Sequence, residues 1–380
     1  MKSNYKIIIN TLNEHGYQAY LVGGAVRDKL LNKELNDIDI TTNAKPDEVI
    51  AIFKNKYKVI KTGIKYGTVT VYINKTKYEV TTYRQDLEYI NHRFPMIKYS
   101  ISIYDDLKRR DFTINAIAYH PNEGYIDPFK GITDLNNKII KCIGNPLDRF
   151  CEDSLRILRC IRFKAQLNFE IDKDTSLSIS KNTSLLDSLS IERINQEISK
   201  ILVCDYPDNV LTEYNYIFEK YFGLYNQNIS KINNILPYRL ALLLFDNENI
   251  ESILKKLKYS KKIIKQVTMI INYKSFNFKS KIELKRLLNT IEIDNTLFII
   301  DFYSQLHDYN YQILINEIIN NNELYSIKQI NFKAIDIINM DIKPYRINYI
   351  FNELFELIIN NKIENNYNSI KQYLLENNFM

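Results

Sequence analysis

Eight of the nine glycines and five of the eight prolines of this 380-residue chain fall before residue 147. Glycine serves backbone conformations that other residues avoid, and proline interrupts regular elements. The first part therefore reads as a turn-rich sheet and the remainder as almost continuous helix, with the boundary near 140–147. The fold class is α+β: a small mixed sheet packed with helices, then a long all-α region. A chain of this length exceeds one ordinary core and implies two to four domains. A content of 45% hydrophobic and 25% charged residues is that of a soluble globular protein. The strongest short apolar run, Leu240–Phe245, falls far below the roughly 20 residues a membrane helix needs, so no membrane association is expected. The opening MKSNYKIII lacks an apolar core with a cleavage site, so no secretory signal is expected either. Cys142, Cys151, Cys160 and Cys204 form no C-x-x-C pair and fit reduced thiols in a cytoplasm. The net charge of +6 arises entirely in residues 1–150, which carry 23 Lys and Arg against 17 Asp and Glu. A basic excess confined to one region is expected where polyanions bind.

In chain order, 4–16 reads as an amphipathic helix ending at Gly16, followed by strand 19–22. A second strand runs through Asn36–Ile40 toward Thr42, and Pro46 opens a helix over 47–55. Three further strands are expected at 57–61, 68–73 and 78–84. Residues 85–106 show no clear periodicity and read as a long loop, a length that in a compact domain usually serves function. Cys151–Gln166 reads as one helix with Cys151, Leu155, Leu158, Ile161 and Ala165 as its buried stripe. Ile191–Leu202 is helical, and 205–380 is helical throughout.

The chemistry concentrates in 21–42, LVGGAVRDKLLNKELNDIDITT. Gly23 and Gly24 let the backbone approach a phosphate, and Arg27 and Asp28 follow in a helix whose N-terminal end favours anions. In NDIDI, Asp37 and Asp39 share one strand face while Ile38 and Ile40 point into a core. Two carboxylates about 7 Å apart along a strand, facing a phosphate-sized turn, suit Mg²⁺ that also holds triphosphate oxygens. Should the strand containing Glu79 lie beside this one, Glu79 becomes a third carboxylate. In RRDFTINA (109–116), Arg110 can grip triphosphate oxygens in a bidentate manner that Lys could not copy. Asp111 and Asn115 suit fixing the local backbone and neighbouring arginines, and Arg109 is either functional or a solvated surface charge. In CEDSLRILRCIRF, Asp153 and Arg156 stand three residues apart on the polar side of the helix. They read either as an exposed ion pair worth tenths of a kcal/mol, or as a base reader. In the second reading the carboxylate accepts the amino group shared by cytosine and adenine, and the guanidinium donates to the ring nitrogen beside it. Uracil and guanine reverse that pattern and would leave buried groups unpaired.

Taken together, GG-x2-RD, DxD, RRDFTINA and EDxxR–LRxxRF resemble the nucleotidyltransferase signature of the DNA polymerase beta superfamily, in its class II tRNA nucleotidyltransferase and bacterial poly(A) polymerase branch. The resemblance covers about residues 20–205. It implies a nucleotidyltransferase head (1–140), a helical neck with a base-reading helix (141–205), and a helical body and tail that bind tRNA (206–380). It implies two Mg²⁺ ions on Asp37 and Asp39, with Glu79 as a further catalytic carboxylate. Gly24, Arg27 and Arg110 would hold the triphosphate, Asp153 and Arg156 would select CTP and ATP, and Arg159 and Arg162 would back the pocket or touch phosphates. Asp86 and Arg93 match the D-x6-R pair of the family's flexible loop, which takes part in nucleotide choice. Ile191–Leu202 resembles the family's ERI-x2-E element, which braces the base-reading helix. The implied activity is template-independent addition of CCA to the tRNA 3′ end. A-addition alone and poly(A) polymerase are the alternatives within the family. The intact loop pair argues against an enzyme adding only C, and retention of DxD and RRD argues against a non-catalytic RNA-binding relative. His307-Asp308 resembles a metal-phosphohydrolase pair, but His15, His92 and His120 all lie far upstream, so it reads as a surface pair. Oligomeric state is not written in the sequence.

Overall fold

The computed structural model describes residues 4–35, 37–61, 63–90 and 94–377. Helix α1 (Tyr5–Glu14) leads into strand β1 (Ala19–Val22), helix α2 (Gly24–Leu30), strand β2 (Ile38–Thr42) and helix α3 (Pro46–Phe53). Strands β3 (Lys58–Ile60), β4 (Thr68–Ile73) and β5 (Thr76–Thr82) follow. A separate two-stranded ribbon, β6 (Arg84–Ile90) and β7 (Phe94–Tyr99), comes next, then helix α4 (Ile103–Lys108), β8 (Ala118–His120), β9 (Gly124–Ile126) and helix α5 (Gly131–Asn136). The main sheet has seven strands in the order β3-β4-β5-β2-β1-β8-β9. It is mixed because β2 runs parallel to β5 while its other ladders are antiparallel.

Strand alternation divides the side chains of this sheet between two cores. Leu21, Ile38 and Ile40 pack with Ile8, Leu12, Val49, Phe53, Val71 and Val80 beneath α1 and α3. Tyr20 and Val22 point the other way and pack with Tyr83, Leu107, Ala116, Ala118 and Ile143. Two registers then place the chemistry. Val22, the last residue before the Gly-Gly turn, pairs with Asp39, and Asp39 pairs on its other side with Glu79. The DxD strand thus lies between the glycine turn and the Glu79 strand.

Helices α6 (Pro146–Glu152), α7 (Leu155–Leu167), α8 (Lys173–Asn182) and α9 (Ile191–Leu202) belong to the same compact unit, Met1–Gly223, which two further helices (Pro207–Glu213 and Asn215–Phe222) close. The stretch expected as one helix over 151–166 is broken. Asn145 accepts from the Leu147 amide and Pro146 occupies the first turn, so α6 nucleates upstream. Asp153 then leaves helical geometry (φ −141°, ψ 99°), and its Oδ1 accepts from the Leu155 amide at 3.3 Å where α7 begins. Cys151 is consequently exposed and Leu155 only half-buried, while Leu158, Ile161 and Ala165 are buried as expected. The expected loop 85–106 is instead the β6–β7 ribbon and α4. Its Leu87 and Met96 are exposed, so no buried face imposes the alternation by which a strand is recognised. Strands β8 and β9 were not anticipated; Pro121-Asn122-Glu123-Gly124 between two aromatic triplets is the turn signal that marks them.

The second unit, Leu224–Met380, is helical. Tyr238, Phe302, Tyr303 and Phe278 form an aromatic core in it, with Phe278 stacked on Tyr303 at 4.4 Å. Ile337, Ile350, Leu354, Ile358 and Ile370 form a further apolar cluster. Arg286 makes a two-oxygen contact with Glu356 across helices. His307 ends a helix and bonds the Tyr311 hydroxyl at 3.0 Å, in keeping with a surface pair. No described helix is long and apolar enough to cross a membrane.

Candidate functional site

The Gly-Gly turn is built around a backbone conformation, φ 70° and ψ −139° at Gly23, that suits glycine alone. A Cβ there would stand 3.0 Å from Arg110 Nη1 and 3.6 Å from Asp39 Oδ2. The absence of a side chain thus lets a carboxylate and a guanidinium close on the turn together. Helix α2 begins at Gly24, and the amides of a first turn have no intrahelical acceptor. Around this point opens a cavity of about 760 Å³.

Asp37 and Asp39 lie on its wall. Burial pushes the Asp39 carboxyl above its ordinary value; Arg110 pulls it back, and Glu79 and Asp37 add to the rise. Among the described residues no group of three or more His, Cys, Asp or Glu side chains is arranged to hold a metal ion. A cation at this point would rest on two carboxylates and on oxygens brought by a substrate, the manner in which Mg²⁺ is usually bound. Glu79 is next to Asp39 in register, but its carboxylate is engaged by Lys77 at 2.5 Å and does not line the cavity.

Arginines also line the cavity. Arg27, 4% exposed, donates to Asp28 Oδ1 from Nε and Nη2 (2.9 and 2.7 Å) and to Asn115 Oδ1 from Nη1 (3.1 Å). Arg109 and Arg110 converge on the fully buried Asp106. Arg109 donates to its Oδ1 at 3.0 and 2.7 Å, while Arg110 and the Thr41 hydroxyl each donate to Oδ2 at 3.1 Å. Arg109 is thus a structural member of the pocket, not a solvated charge. Arg110 Nε is buried without a hydrogen-bond partner among the described residues. Asp111 takes both Nε and Nη2 of Arg159 on Oδ2 (2.8 and 2.5 Å), while its Oδ1 accepts from the Phe112 amide and Asn115. Arg162 is held by Glu197 at 2.7 Å and by Gln166. Gly131 secures the segment that carries these groups, because a Cβ on it would meet the Thr113 carbonyl at 2.1 Å.

Asp153 and Arg156 both line the cavity, and the Arg156 amide donates to the Asp153 carbonyl at 3.1 Å. Asp153 Oδ1 accepts from Arg193 at 3.1 Å. Arg156, expected on the polar face, is buried and donates to Glu152 Oε2 at 3.1 Å and to the Arg109 carbonyl at 3.1 Å. Helix α9 braces this wall through Arg193 to Asp153 and Glu197 to Arg162. Asp86 also lines the cavity, 3.2 Å from Arg84; Arg93, its expected partner in the loop motif, lies outside the described residues. Asp106, Arg193 and Phe163 are cavity or support residues that sequence reading did not single out. The spacing of Asp106 from Arg109 and Arg110, three and four residues on one helical turn, was the available signal for the first.

These buried carboxylates make stability depend on acid. Burial raises the carboxyls of Asp106, Asp111 and Glu197, but their arginine partners outweigh it and hold all three below the ordinary range. Their stabilisation is complete above the unfolded carboxyl values, near pH 4, and is lost as pH falls through the lower folded values. Thermal midpoints should therefore hold level from about pH 7 to 5 and drop steeply below about pH 4. A midpoint already falling between pH 7 and 5 would assign the acid sensitivity to other groups.

Residues 19–141 match the family model described as the poly A polymerase head domain. Residues 168–214 match that described as the probable RNA and SrmB-binding site of polymerase A. A CCA-adding enzyme from Staphylococcus haemolyticus is 38% identical over 342 residues, which take in 86% of this chain and 82% of that one. One from a Geobacillus species is 50% identical over 196 residues, 51% of this chain and 48% of the relative. The crystal structure of the Bacillus stearothermophilus CCA-adding enzyme in complex with CTP superposes with a TM-score of 0.84 at 28% identity, covering 100% of this chain and 98% of that one.

Proposed function

This chain belongs to the CCA-adding enzymes, and on that footing we propose that the cavity beside Gly23 is where the tRNA 3′ end meets CTP or ATP. The enzyme adds CCA to the 3′ end of tRNA, with CTP and ATP as donors and no nucleic-acid template. The observation that carries the assignment of the site is one cavity lined both by the Asp37 and Asp39 carboxylates and by a bank of anchored arginines. A nucleotidyl transfer needs these two kinds of group on the same phosphate.

Asp37 and Asp39 would hold Mg²⁺, two ions being the expected number; Glu79, next to Asp39 in register, joins the catalytic carboxylates once its own carboxylate leaves Lys77. Bound there, the metal would acidify the primer 3′-hydroxyl and stabilise departing pyrophosphate. The glycine turn admits the triphosphate close to the backbone at Gly24. Arg110, whose single hydrogen bond to Asp106 uses only Nη2, retains donors for phosphate oxygens. Arg27 spends three N–H bonds on Asp28 and Asn115, so it serves as a fixed positive charge more than as a mobile clamp. Arg159 and Arg162, anchored by Asp111 and Glu197, back the pocket. Asp153 reads the base with Arg156. Among the described residues only Oδ1 of Asp153 is engaged, which leaves Oδ2 for the amino group of cytosine or adenine. Asp86 and Arg93 take part in choosing between the two nucleotides. Residues 1–140 form the catalytic head, 141–205 the neck, and 206–380 the body and tail that hold tRNA. Among the described residues the four cysteines form no disulfide, which fits work in a reducing cytoplasm.

The test is incorporation of single labelled nucleotides into tRNA lacking CCA, tRNA-C and tRNA-CC. CTP should extend the first two and ATP only the third. ATP addition to tRNA-CC without any C-addition would instead make this an A-adding enzyme.

Base reading has its own prediction. Asp153→Ala should lower the ratio of kcat/KM for CTP over UTP on tRNA lacking CCA by about tenfold or more, since one base contact carries about 1–3 kcal/mol of discrimination. An unchanged ratio would leave Asp153 as no more than the anchor of Arg193.

A further inference from the structure

Three guanidinium groups of the cavity wall meet at one aromatic ring. The Cζ atoms of Arg162, Arg27 and Arg159 stand 4.4, 5.2 and 5.6 Å from the ring centroid of Phe163. The ring is 4% exposed, lines the cavity and packs edge-on against Phe112 at 5.7 Å and 84°. Arg159 shares its helical face, four residues earlier, but Arg27 arrives from α2, a different element altogether. Each guanidinium is also tied elsewhere: Arg27 to Asp28 and Asn115, Arg159 to Asp111, Arg162 to Glu197. Arg27 and Arg162 are bonded along two edges, but Arg159 along one alone, and a planar guanidinium so held can still hinge about that edge. The negative face of an aromatic ring on its other side removes that freedom, and it lessens the repulsion among cations gathered in a water-poor wall.

We propose that Phe163 is a positioning residue for nucleotide binding, its ring electrostatics holding Arg27, Arg159 and Arg162 in the orientation that receives the incoming nucleotide. This rests on the reading of the cavity as the nucleotide pocket. The ring itself takes no part in the chemistry; it acts through the three arginines.

The full chain carrying 4-fluoro-, 3,5-difluoro- or pentafluorophenylalanine at position 163 tests this, since fluorine drains the negative face of the ring with little change in size. KM for CTP on tRNA lacking CCA, and for ATP on tRNA-CC, should rise with each step, to about tenfold for the last. The change in kcat and in thermal midpoint should be much smaller. Phe163→Leu should raise KM comparably, and Phe163→Tyr, which keeps the ring face, should restore it. If the leucine variant does not fold, the fluorinated series still decides. A KM flat across that series overturns the proposal. Arg110→Ala separates the two claims: if it raises KM while the series stays flat, the pocket reading survives and the role of the ring falls. If Arg110→Ala also leaves KM unchanged, the pocket reading falls and takes the proposal with it.

Discussion

Asp39→Asn should leave the fold at least as stable as the parent while reducing C- and A-incorporation alike by about 10³-fold or more. The two halves of that result have one cause. Asp39 is half-buried on the strand face beside Gly23, and burial, Glu79 and Asp37 together raise its carboxyl despite the nearby Arg110. A carboxyl raised in the folded state opposes folding at neutral pH, where it must be charged, and that opposition fades as pH falls toward its folded value. An amide of the same shape removes the penalty. It also removes the charge on which cation binding depends, and so several kcal/mol of transition-state stabilisation. Chemical denaturation and single-nucleotide incorporation, measured on the same preparation, check both halves. Near-normal turnover with Mg²⁺ would remove Asp39 from the catalytic set. A marked loss of stability would show that its carboxylate is structural.

Asp106→Ala should do the reverse, damaging the fold first and activity as a consequence. Its fully buried carboxylate receives Arg109, Arg110 and the Thr41 hydroxyl. Removing it takes from two guanidinium groups the buried carboxylate they share, and breaking a buried pair in this way costs about 3–5 kcal/mol. The denaturation midpoint should fall accordingly, with the slope of the transition unchanged. The backbone carbonyls of Arg109 and Arg110 accept from Arg149, and that of Arg109 also from Arg156, so the loss should spread to the part of the cavity lined by Asp153 and Arg156. A drop below about 1 kcal/mol, the scale of an exposed ion pair, would mean that Asp106 is not the keystone of this cluster.

Much of the candidate site was legible because its determinants are local. The Gly-Gly turn, the alternation of Asp37 and Asp39 with Ile38 and Ile40, and the arginines of RRDFTINA are read within a few residues of one another. Period and turn chemistry express themselves at that range. The single helix expected through Asp153 and Arg156 was wrong for the same reason. A three-residue spacing means proximity only inside a continuous helix, and Asn145, Pro146 and Asp153 make two helices of that stretch. The β6–β7 ribbon escaped notice because an exposed hairpin carries no buried stripe to read.

By itself, then, the sequence determined where sheet gives way to helix, which strand carries the two carboxylates, and where the glycine turn stands before it. All of these follow from backbone permissiveness and from side-chain periodicity along a short stretch. Only the tertiary structure decided that Glu79 stands next to Asp39, that Asp106 gathers Arg109 and Arg110 with Thr41, and that Phe163 sits among Arg27, Arg159 and Arg162. Most of those partners are brought together by strand order and helix packing across tens of residues. The energy that selects them lies in burying charge only where an opposite charge or an aromatic face awaits it, a condition that exists once the chain has closed on itself.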